Sequence, residues 1–345
     1  MTIRSICFSV LIIFLTSGKY MSATPRYYES GANGNVGRYF DQHEASYDDP
    51  PCPNAADILP CKCYFNVDNG YLSMVCNDVA DIEELRTVFL ADFPQNNFTT
   101  FRLEDNTNLK VFESGIFNGI TFRDIYIRMT SIENIDIDAF DDSLETIREL
   151  NFLGNNLTQF PYEMLNKFSN LTVLDLSGNP LGSVPVDSFN GITTLTELHL
   201  NVIHVDELLT GSFQNLENLE ILYLNANSLT HIPSGLFITG SSVLHVVHLY
   251  HNKIESVDPD AFDNIGMYID MDDNAMTSIE ENTWRPLLEG GAKLDLARNP
   301  LLCGCDVAWL VRNSTLLQRV TSDSYCNDDY GHSIWNLNPS DFDDC

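Results

Sequence analysis

A pattern of leucine and asparagine residues, L-x-L-x-x-N-x-L, recurs through the middle of this 345-residue chain. It is complete in LTVLDLSGNPL from Leu171 and in LEILYLNANSL from Leu219. The asparagine position of successive copies is occupied by Asn106, Thr130, Asn155, Asn179, Ile203, Asn227, Asn252, Asn274 and Asn299. These positions lie 22 to 25 residues apart, so nine repeats share a period near 24. Such a period predicts stacked units, each too small to bury a core alone.

Each position of the repeat has a physical role. Leucines two residues apart point to the same side of a short β-strand, and the residues between them point to the opposite side. The asparagine falls in the bend after the strand, where its amide can satisfy backbone groups that the bend leaves unpaired. Ile203 cannot form these hydrogen bonds, so we expect a local distortion there.

A second row of large apolar residues follows the same period and should stack on the back of the repeats. Its members are Phe117, Phe140, Leu165, Phe189, Phe213, Phe237, Phe262 and Trp284. The two rows together predict a leucine-rich-repeat solenoid of the α/β horseshoe type. Its parallel β-sheet should line the concave face, and the convex side should be irregular or formed by short helices.

The cysteines are concentrated at the two ends of the repeat region. Eight of the nine form two groups of four, and the 226 residues between Cys76 and Cys303 contain none. The groups are Cys52, Cys61, Cys63 and Cys76, and Cys303, Cys305, Cys326 and Cys345. This distribution predicts disulfide-bonded caps over the open ends of the solenoid. Zinc sites are the alternative, but the pairs with one intervening residue do not match the usual ligand spacing.

The first residues read as an export signal. Arg4 precedes an apolar segment of ten residues, Ile6 to Leu15, and small residues follow. A membrane anchor is the alternative, but a spanning helix needs about twenty apolar residues. We therefore predict a secreted, extracellular protein with a signal peptide (1–23), a disordered acidic, tyrosine-rich arm (24–51), an N-terminal cap (52–98), the repeats (99–301) and a C-terminal cap (302–345).

The formal net charge is −31. An acidic surface repels nucleic acid and anionic membranes, so we expect neither as a partner. A basic protein or bound calcium fits this charge, although acidic residues also serve solubility alone.

Two kinds of covalent modification are suggested by local sequence. Sequons for N-linked glycans occur at Asn97, Asn156, Asn170 and Asn313. None lies between the third and the fourth, so repeats five to eight should keep an open face free of sugar. In the arm, Tyr47 lies among acidic residues, which is compatible with sulfation or with an unmodified linker.

No catalytic residues, cofactor or metal site are predicted. The chain lacks the G-x-S-x-G, H-E-x-x-H, phosphate-loop and G-x-G-x-x-G motifs. The histidines His245, His248 and His251 are three residues apart, and on a strand such residues face opposite ways, which argues against a shared metal.

The open face of the strands is the expected ligand-binding surface. Its central repeats carry rings that give contact area at low entropic cost, and an acidic zone including Asp273 and Asp295 follows. The candidate ligand-binding residues are Tyr126, His199, Tyr223, His248, Tyr250, Asp270 and Asp272. The rings would anchor a partner and the acidic zone would attract its basic patch, whereas the alternative is a solvated polar face.

Particular strings spread over residues 52 to 345 indicate a narrower relationship. They are CPNAADILPCKC from Cys52, DFP from Asp92, FNGITF from Phe117, TWRP from Thr283 and NPLLCGCDVAWL from Asn299. The chain resembles the arthropod family of secreted leucine-rich-repeat proteins that includes the non-catalytic subunit of Oplophorus (shrimp) luciferase. That resemblance implies a companion or stabilising role without catalysis. It also implies disulfides that join Cys52 to Cys63, Cys61 to Cys76, Cys303 to Cys326 and Cys305 to Cys345.

Two functions follow as expectations. In the first, the protein binds a protein partner through its concave face as the non-catalytic subunit of a secreted enzyme, and the partner is a small catalytic subunit. In the second, it is an extracellular recognition protein of immunity or matrix that binds a glycan, a lipid or a basic protein.

Overall fold

The computed structural model describes residues 51–262, 267–327 and 331–345. The predicted signal peptide, almost all of the predicted arm and Tyr47 lie outside these residues. The chain divides into two compact units, and each is described by itself. Unit 1 extends to Ser143 and includes Gly154–Asn156, while unit 2 contains Leu144–Leu153 and Leu157–Cys345.

Unit 1 contains an antiparallel hairpin that continues into parallel strands. Strand β1 pairs with β2 in the antiparallel sense, and β2, β3 and β5 are parallel neighbours. Strands β4 and β6 form a separate two-stranded sheet. The elements are β1 (Lys62–Asn66), β2 (Tyr71–Cys76), α1 (Ile82–Val88), β3 (Asn97–Glu104), β4 (Val111–Phe112), β5 (Thr121–Arg128), β6 (Asn134–Ile135) and a 3₁₀ turn at Asp141–Ser143.

Unit 2 is built on parallel strands in sequence order β7, β8, β9, β10, β12, β14 and β15. Strands β11 and β13 form a two-stranded parallel sheet beside them. The strands are β7 (Glu149–Asn151), β8 (Val173–Asp175), β9 (Glu197–His199), β10 (Ile221–Tyr223), β11 (His231–Ile232), β12 (Val246–His248), β13 (Ser256–Val257), β14 (Tyr268–Asp270) and β15 (Lys293–Asp295). The helices are α2 (Glu281–Glu289), α3 (Ala308–Val311) and α4 (Ser314–Leu317), with 3₁₀ segments at Tyr162–Lys167, Cys305–Val307, Ile334–Asn336 and Pro339–Phe342.

The asparagines of the repeat form a ladder of buried hydrogen bonds. In unit 2, Asn227 Nδ2 donates to Leu200 O of the preceding repeat at 2.8 Å, and its Oδ1 accepts from Ile203 N at 3.0 Å. Asn252 and Asn274 repeat the same arrangement. In unit 1, Asn106 Nδ2 donates to Cys76 O at 3.0 Å. The ladder satisfies backbone groups that no strand pairs, as the spacing of the asparagines predicts.

The ladder is interrupted at Ile203, whose side chain is fully buried. Without an amide to accept it, Leu181 N donates to Asn179 O at 2.9 Å, two residues back in its own repeat. His204 has a φ of 63°, and among the described residues no other residue directly after a ladder position has a positive φ. The backbone therefore closes a tighter bend where the amide is missing, which is the distortion that the sequence predicts.

The second apolar row is buried in both units. In unit 2, the Phe213 ring lies 6.0 Å from Phe189 and 6.1 Å from Phe237, with nearly parallel planes. Phe262 continues the stack at 4.8 Å from Phe237. Stacked rings on successive repeats fill the space behind the sheet, so each repeat supplies part of its neighbour's core.

Disulfides lie at both ends of the repeats, as predicted. In unit 1 they join Cys52 to Cys63 and Cys61 to Cys76, and in unit 2 they join Cys303 to Cys326 and Cys305 to Cys345. These are the pairings that the family resemblance implies. The parallel sheet, the ladder and the disulfides confirm the predicted leucine-rich-repeat solenoid with its caps. In the described residues no helix has the length and apolar character needed to cross a membrane.

Candidate partner-binding face

The outward side of the unit 2 sheet carries three rows of side chains. Because a strand alternates its side chains, the apolar residue in the middle of each strand, a leucine except for Val247 and Ile269, points inward and its two neighbours point outward. We call the outward-pointing residues of β7, β8, β9, β10, β12, β14 and β15, with the residue two positions after each of these strands, the sheet face. The middle row contains Asn151, Asp175, His199, Tyr223, His248, Asp270 and Asp295.

Three aromatic side chains of the middle row form a continuous stack, which we call the ring row. The Tyr223 ring lies 4.3 Å from the His199 ring and 4.9 Å from the His248 ring, and each pair of planes differs by 12°. These separations match the spacing of about 4.8 Å between neighbouring strands. In-register strands therefore align the rings face to face, so both faces of Tyr223 are covered by its neighbours and a ligand meets ring edges.

Two further tyrosines pack edgewise against this stack. The centroid of the Tyr250 ring lies 6.1 Å from that of His248 at an interplanar angle of 87°, and the Tyr268 ring lies 6.3 Å away at 72°. The Tyr268 hydroxyl donates to Asp295 Oδ2 at 3.2 Å. Burial raises the pKa of Tyr268, and the carboxylates of Asp270 and Asp295 raise it further, so this phenol stays protonated.

Carboxylates hold both histidines of the ring row. His199 Nε2 lies 2.9 Å from Glu197 Oε1, and His248 Nδ1 lies 3.1 Å from Asp270 Oδ2. Burial lowers the pKa of His199, but its hydrogen bond to Glu197 and the charges of Asp175, Glu197 and Glu149 outweigh this, so the pKa is raised above 6.5. These contacts fix the orientation of the rings.

The predicted acidic zone is largely engaged within unit 2. Asp272 pairs with Arg298, and Asp273 Oδ2 lies 2.6 Å from His251 Nδ1. Asp295 Oδ1 accepts from the Thr321 hydroxyl at 2.8 Å. Arg298 therefore offsets the charge of Asp272, whereas the hydrogen bond from the Thr321 hydroxyl leaves the charge of Asp295 in place.

The sequence reasoning missed the row at the start of the strands. Val173, Ile221 and Val246 point outward and are half-buried, and β9 places Glu197 between the first two. Each member of this row lies two residues before a middle-row residue, so strand alternation alone could have identified it. Ile221 and Val246 lie beside Tyr223 and His248 of the ring row, and these two β-branched side chains form an apolar strip on the sheet face.

Tyr126, the remaining candidate, belongs to unit 1. Its ring lies 4.5 Å from the Arg102 guanidinium carbon and 5.0 Å from that of Arg128. Arg128 Nε donates to Glu104 Oε1 at 2.9 Å. These contacts form a local cation–π cluster, and the other six candidates, all in unit 2, supply the sheet face.

The four sequons differ in their surroundings. Asn97 and Asn170 are exposed, while Asn156 and Asn313 are half-buried. Asn170 Nδ2 donates to Glu145 O at 2.7 Å, whereas Asn313 Oδ1 accepts from Leu316 N at the start of α4. Their glycosylation stays a prediction. Within the described ranges, no cluster of three or more His, Cys, Asp or Glu side chains is arranged to hold a metal ion.

Comparison with known proteins places this geometry in a family. The leucine-rich-repeat family model matches residues 120–181 and 169–229. The chain is 30% identical over 318 residues to the Oplophorus-luciferin 2-monooxygenase non-catalytic subunit of Oplophorus gracilirostris, covering 84% of this chain and 87% of that protein. The chain belongs to the leucine-rich-repeat family of this subunit. The predicted resemblance is thus confirmed, and the family relative is a non-catalytic subunit.

Solved structures show the same fold in more distant leucine-rich-repeat proteins. One is the TLR13–ssRNA13 complex, with a TM-score of 0.56 and 20% identity over 66% of this chain. The chain spans about a third, 32%, of that TLR13 chain. Another is the octameric complex of Latrophilin 3, Unc5D and FLRT2, whose leucine-rich-repeat component is FLRT2, with a TM-score of 0.56, 20% identity, and coverage of 75% of this chain and 86% of that chain.

Proposed function

We propose that this protein is a secreted, non-enzymatic binding protein that holds a protein partner on the sheet face of unit 2. We further propose that it acts as the non-catalytic, stabilising subunit of a secreted, luciferase-like enzyme. The observation that carries the proposal is the ring row with its apolar strip. Aromatic side chains, Tyr above all, are enriched at protein interfaces and often anchor them, and apolar neighbours help to exclude water around such an anchor.

Three features support this role. The family relative is named as a non-catalytic subunit, and FLRT2, with the same fold, occurs in a complex with other proteins. The four disulfides are stable in an extracellular compartment. The ring row is also fixed in place for binding, because His199 and His248 are each bound to a carboxylate and stacked on the Tyr223 ring.

Co-purification tests the proposal. The secreted wild-type protein and a Tyr223→Ala variant are incubated with the native secretion, and bound proteins are quantified by mass spectrometry. The matched control is Tyr325→Ala, because Tyr325 is an exposed tyrosine of the C-terminal cap. Circular dichroism checks that both variants are folded.

We expect a partner in stoichiometric amount with the wild type and with Tyr325→Ala, and at least a fivefold loss with Tyr223→Ala, in the range of about 1 kcal/mol or more for an interface anchor. The partner's activity should also survive heating longer when the wild-type chain is present. Equal capture by all three proteins, or capture of glycan or lipid without any protein, contradicts the proposal. Turnover of any substrate by the purified chain alone contradicts the non-enzymatic role.

A further inference from the structure

The sheet face combines an apolar strip with surrounding negative charge. Ile221 and Val246 are register partners on the neighbouring strands β10 and β12, and both are half-buried and point outward. Tyr223 and His248 are the next outward residues on the same strands and are themselves partners. Four adjacent side chains thus form a patch in which apolar atoms and ring edges share one surface. Such a patch loses water readily when a complementary apolar side chain covers it.

Carboxylates surround this patch. The three outward rows of the sheet face carry six acidic residues. Among the described residues of these rows, Lys293 is the single Lys or Arg. The acidic residues are Glu149, Asp175, Glu197, Asp270, Asp272 and Asp295, and of these Asp272 is paired with Arg298. The hydrogen bond between His199 and Glu197 and the charges of Asp175, Glu197 and Glu149 together outweigh the effect of burial on the pKa of His199. The patch is therefore an apolar centre with an anionic rim.

The ring row limits what can bind. Both faces of Tyr223 are covered at 4.3 and 4.9 Å, so a flat ligand or a guanidinium cannot stack on that ring. Apolar contact is left to Ile221, Val246 and the ring edges. This arrangement favours a chain segment that presents apolar side chains next to cationic ones.

We propose that the sheet face of unit 2 binds a cationic amphipathic protein segment, with an apolar side chain over Ile221 and Val246 and Lys or Arg side chains paired with Glu197 and Asp270. This proposal rests on the proposed function, since it names the chemistry of the partner at the same face. Charge complementarity selects the segment, and the apolar strip provides the affinity.

Three fluorescent peptides of equal length serve as probes: alternating Leu and Arg, alternating Leu and Glu, and alternating Gly and Arg. Their anisotropy is titrated with the full-length secreted protein. We expect the Leu–Arg peptide to bind about tenfold more tightly than either of the others, and its binding to weaken as salt rises. Equal binding of Leu–Glu overturns the charge assignment, and equal binding of Gly–Arg overturns the apolar one.

Variants locate the binding and exclude attraction by the acidic protein as a whole. Ile221→Ser and Glu197→Gln should each weaken Leu–Arg binding about fivefold. Val186→Ser and Glu255→Gln make comparable changes, from a β-branched side chain to serine and from a carboxylate to an amide, at exposed positions off the sheet face. They should change Leu–Arg binding less than about twofold. Equal effects in both pairs overturn the proposal.

The native partner separates this proposal from the proposed function. If Tyr223→Ala loses that partner but the Leu–Arg peptide does not compete with it, the partner chemistry is wrong and the binding function stands. If Tyr223→Ala captures the partner as well as the wild type does, the proposed function is wrong.

Discussion

Removal of one ladder amide should destabilise unit 2 by an amount that its hydrogen bonds define. In Asn227→Ala, Leu200 O loses its bond of 2.8 Å, Ile203 N loses its bond of 3.0 Å, and Val205 N loses a longer contact of 3.4 Å. Leu224 O also loses a bond of 2.9 Å from Asn227 Nδ2, but it still accepts from Asn252 Nδ2 at 3.0 Å.

Two well-formed bonds and one weak bond are therefore lost without replacement. A net value of about 1 kcal/mol per bond, with an added cost for each buried group left unpaired, gives a loss of about 3 kcal/mol in the free energy of unfolding. The effect should be larger here than at other ladder positions, because the neighbouring repeat already lacks its amide at Ile203.

Urea denaturation followed by circular dichroism measures this loss, and hydrogen exchange of the Ile203 and Val205 amides locates it. Asn218→Ala is the matched control, because Asn218 Nδ2 makes one exposed bond to Thr193 O, and it should cost about 1 kcal/mol or less. A loss for Asn227→Ala no larger than that of the control, or unchanged protection of both amides, would refute the ladder as a source of stability.

Three further predictions concern other parts of unit 2. The pKa of His199 is raised, so the stability from its charge is fully present below about pH 6.5 and is lost as pH rises through the folded-state pKa. His199→Gln should remove that part of the decrease in stability with pH. Urea titrations at several pH values measure it, and a pH dependence of stability equal to that of the wild type would contradict the prediction. Phe237→Ala should lower the free energy of unfolding by about 3–5 kcal/mol, because the ring is fully buried in the stack. Ile238→Ala, at the exposed neighbouring residue, should lower it by less than about 1 kcal/mol. Similar melting temperatures for the two variants would contradict this. The disulfide between Cys305 and Cys345 joins two exposed residues, whereas Cys326 of the disulfide with Cys303 is buried. Dithiothreitol should therefore reduce the Cys305–Cys345 disulfide first. Alkylation followed by mass spectrometry gives the order, and the reverse order would be inconsistent with this prediction.

The repeat spacing predicts most of the fold because each pattern position has one physical solution. Inward leucines, the asparagine bend and the stacked phenylalanines lie where strand alternation and the period place them. Even the exception at Ile203 is readable, since an isoleucine cannot replace an amide hydrogen bond. The pairing of cysteines is different, because spacing alone leaves several pairings open and the family resemblance supplied one.

The candidate site is less predictable from sequence. Residue types show that rings occur at Tyr223 and His248, but only the register shows that they stack face to face. Counting acidic residues also overstates the charge of the zone around Asp272, because Arg298, which pairs with it, lies outside the strand pattern. The outward position of Ile221 lies before the first leucine of the repeat pattern, and residues of several types occupy it in the other strands, so the pattern does not mark it as part of the face.

Side-chain footprinting of the complex with the captured partner tests the central claim most directly. Hydroxyl-radical labelling is compared for the free protein and the complex. Binding at the sheet face predicts reduced labelling of Tyr223, Tyr250 and Ile221 in the complex, with unchanged labelling of Tyr325 and Val186. Unchanged labelling of the three face residues, with protection at Tyr325 or Val186 instead, would contradict it.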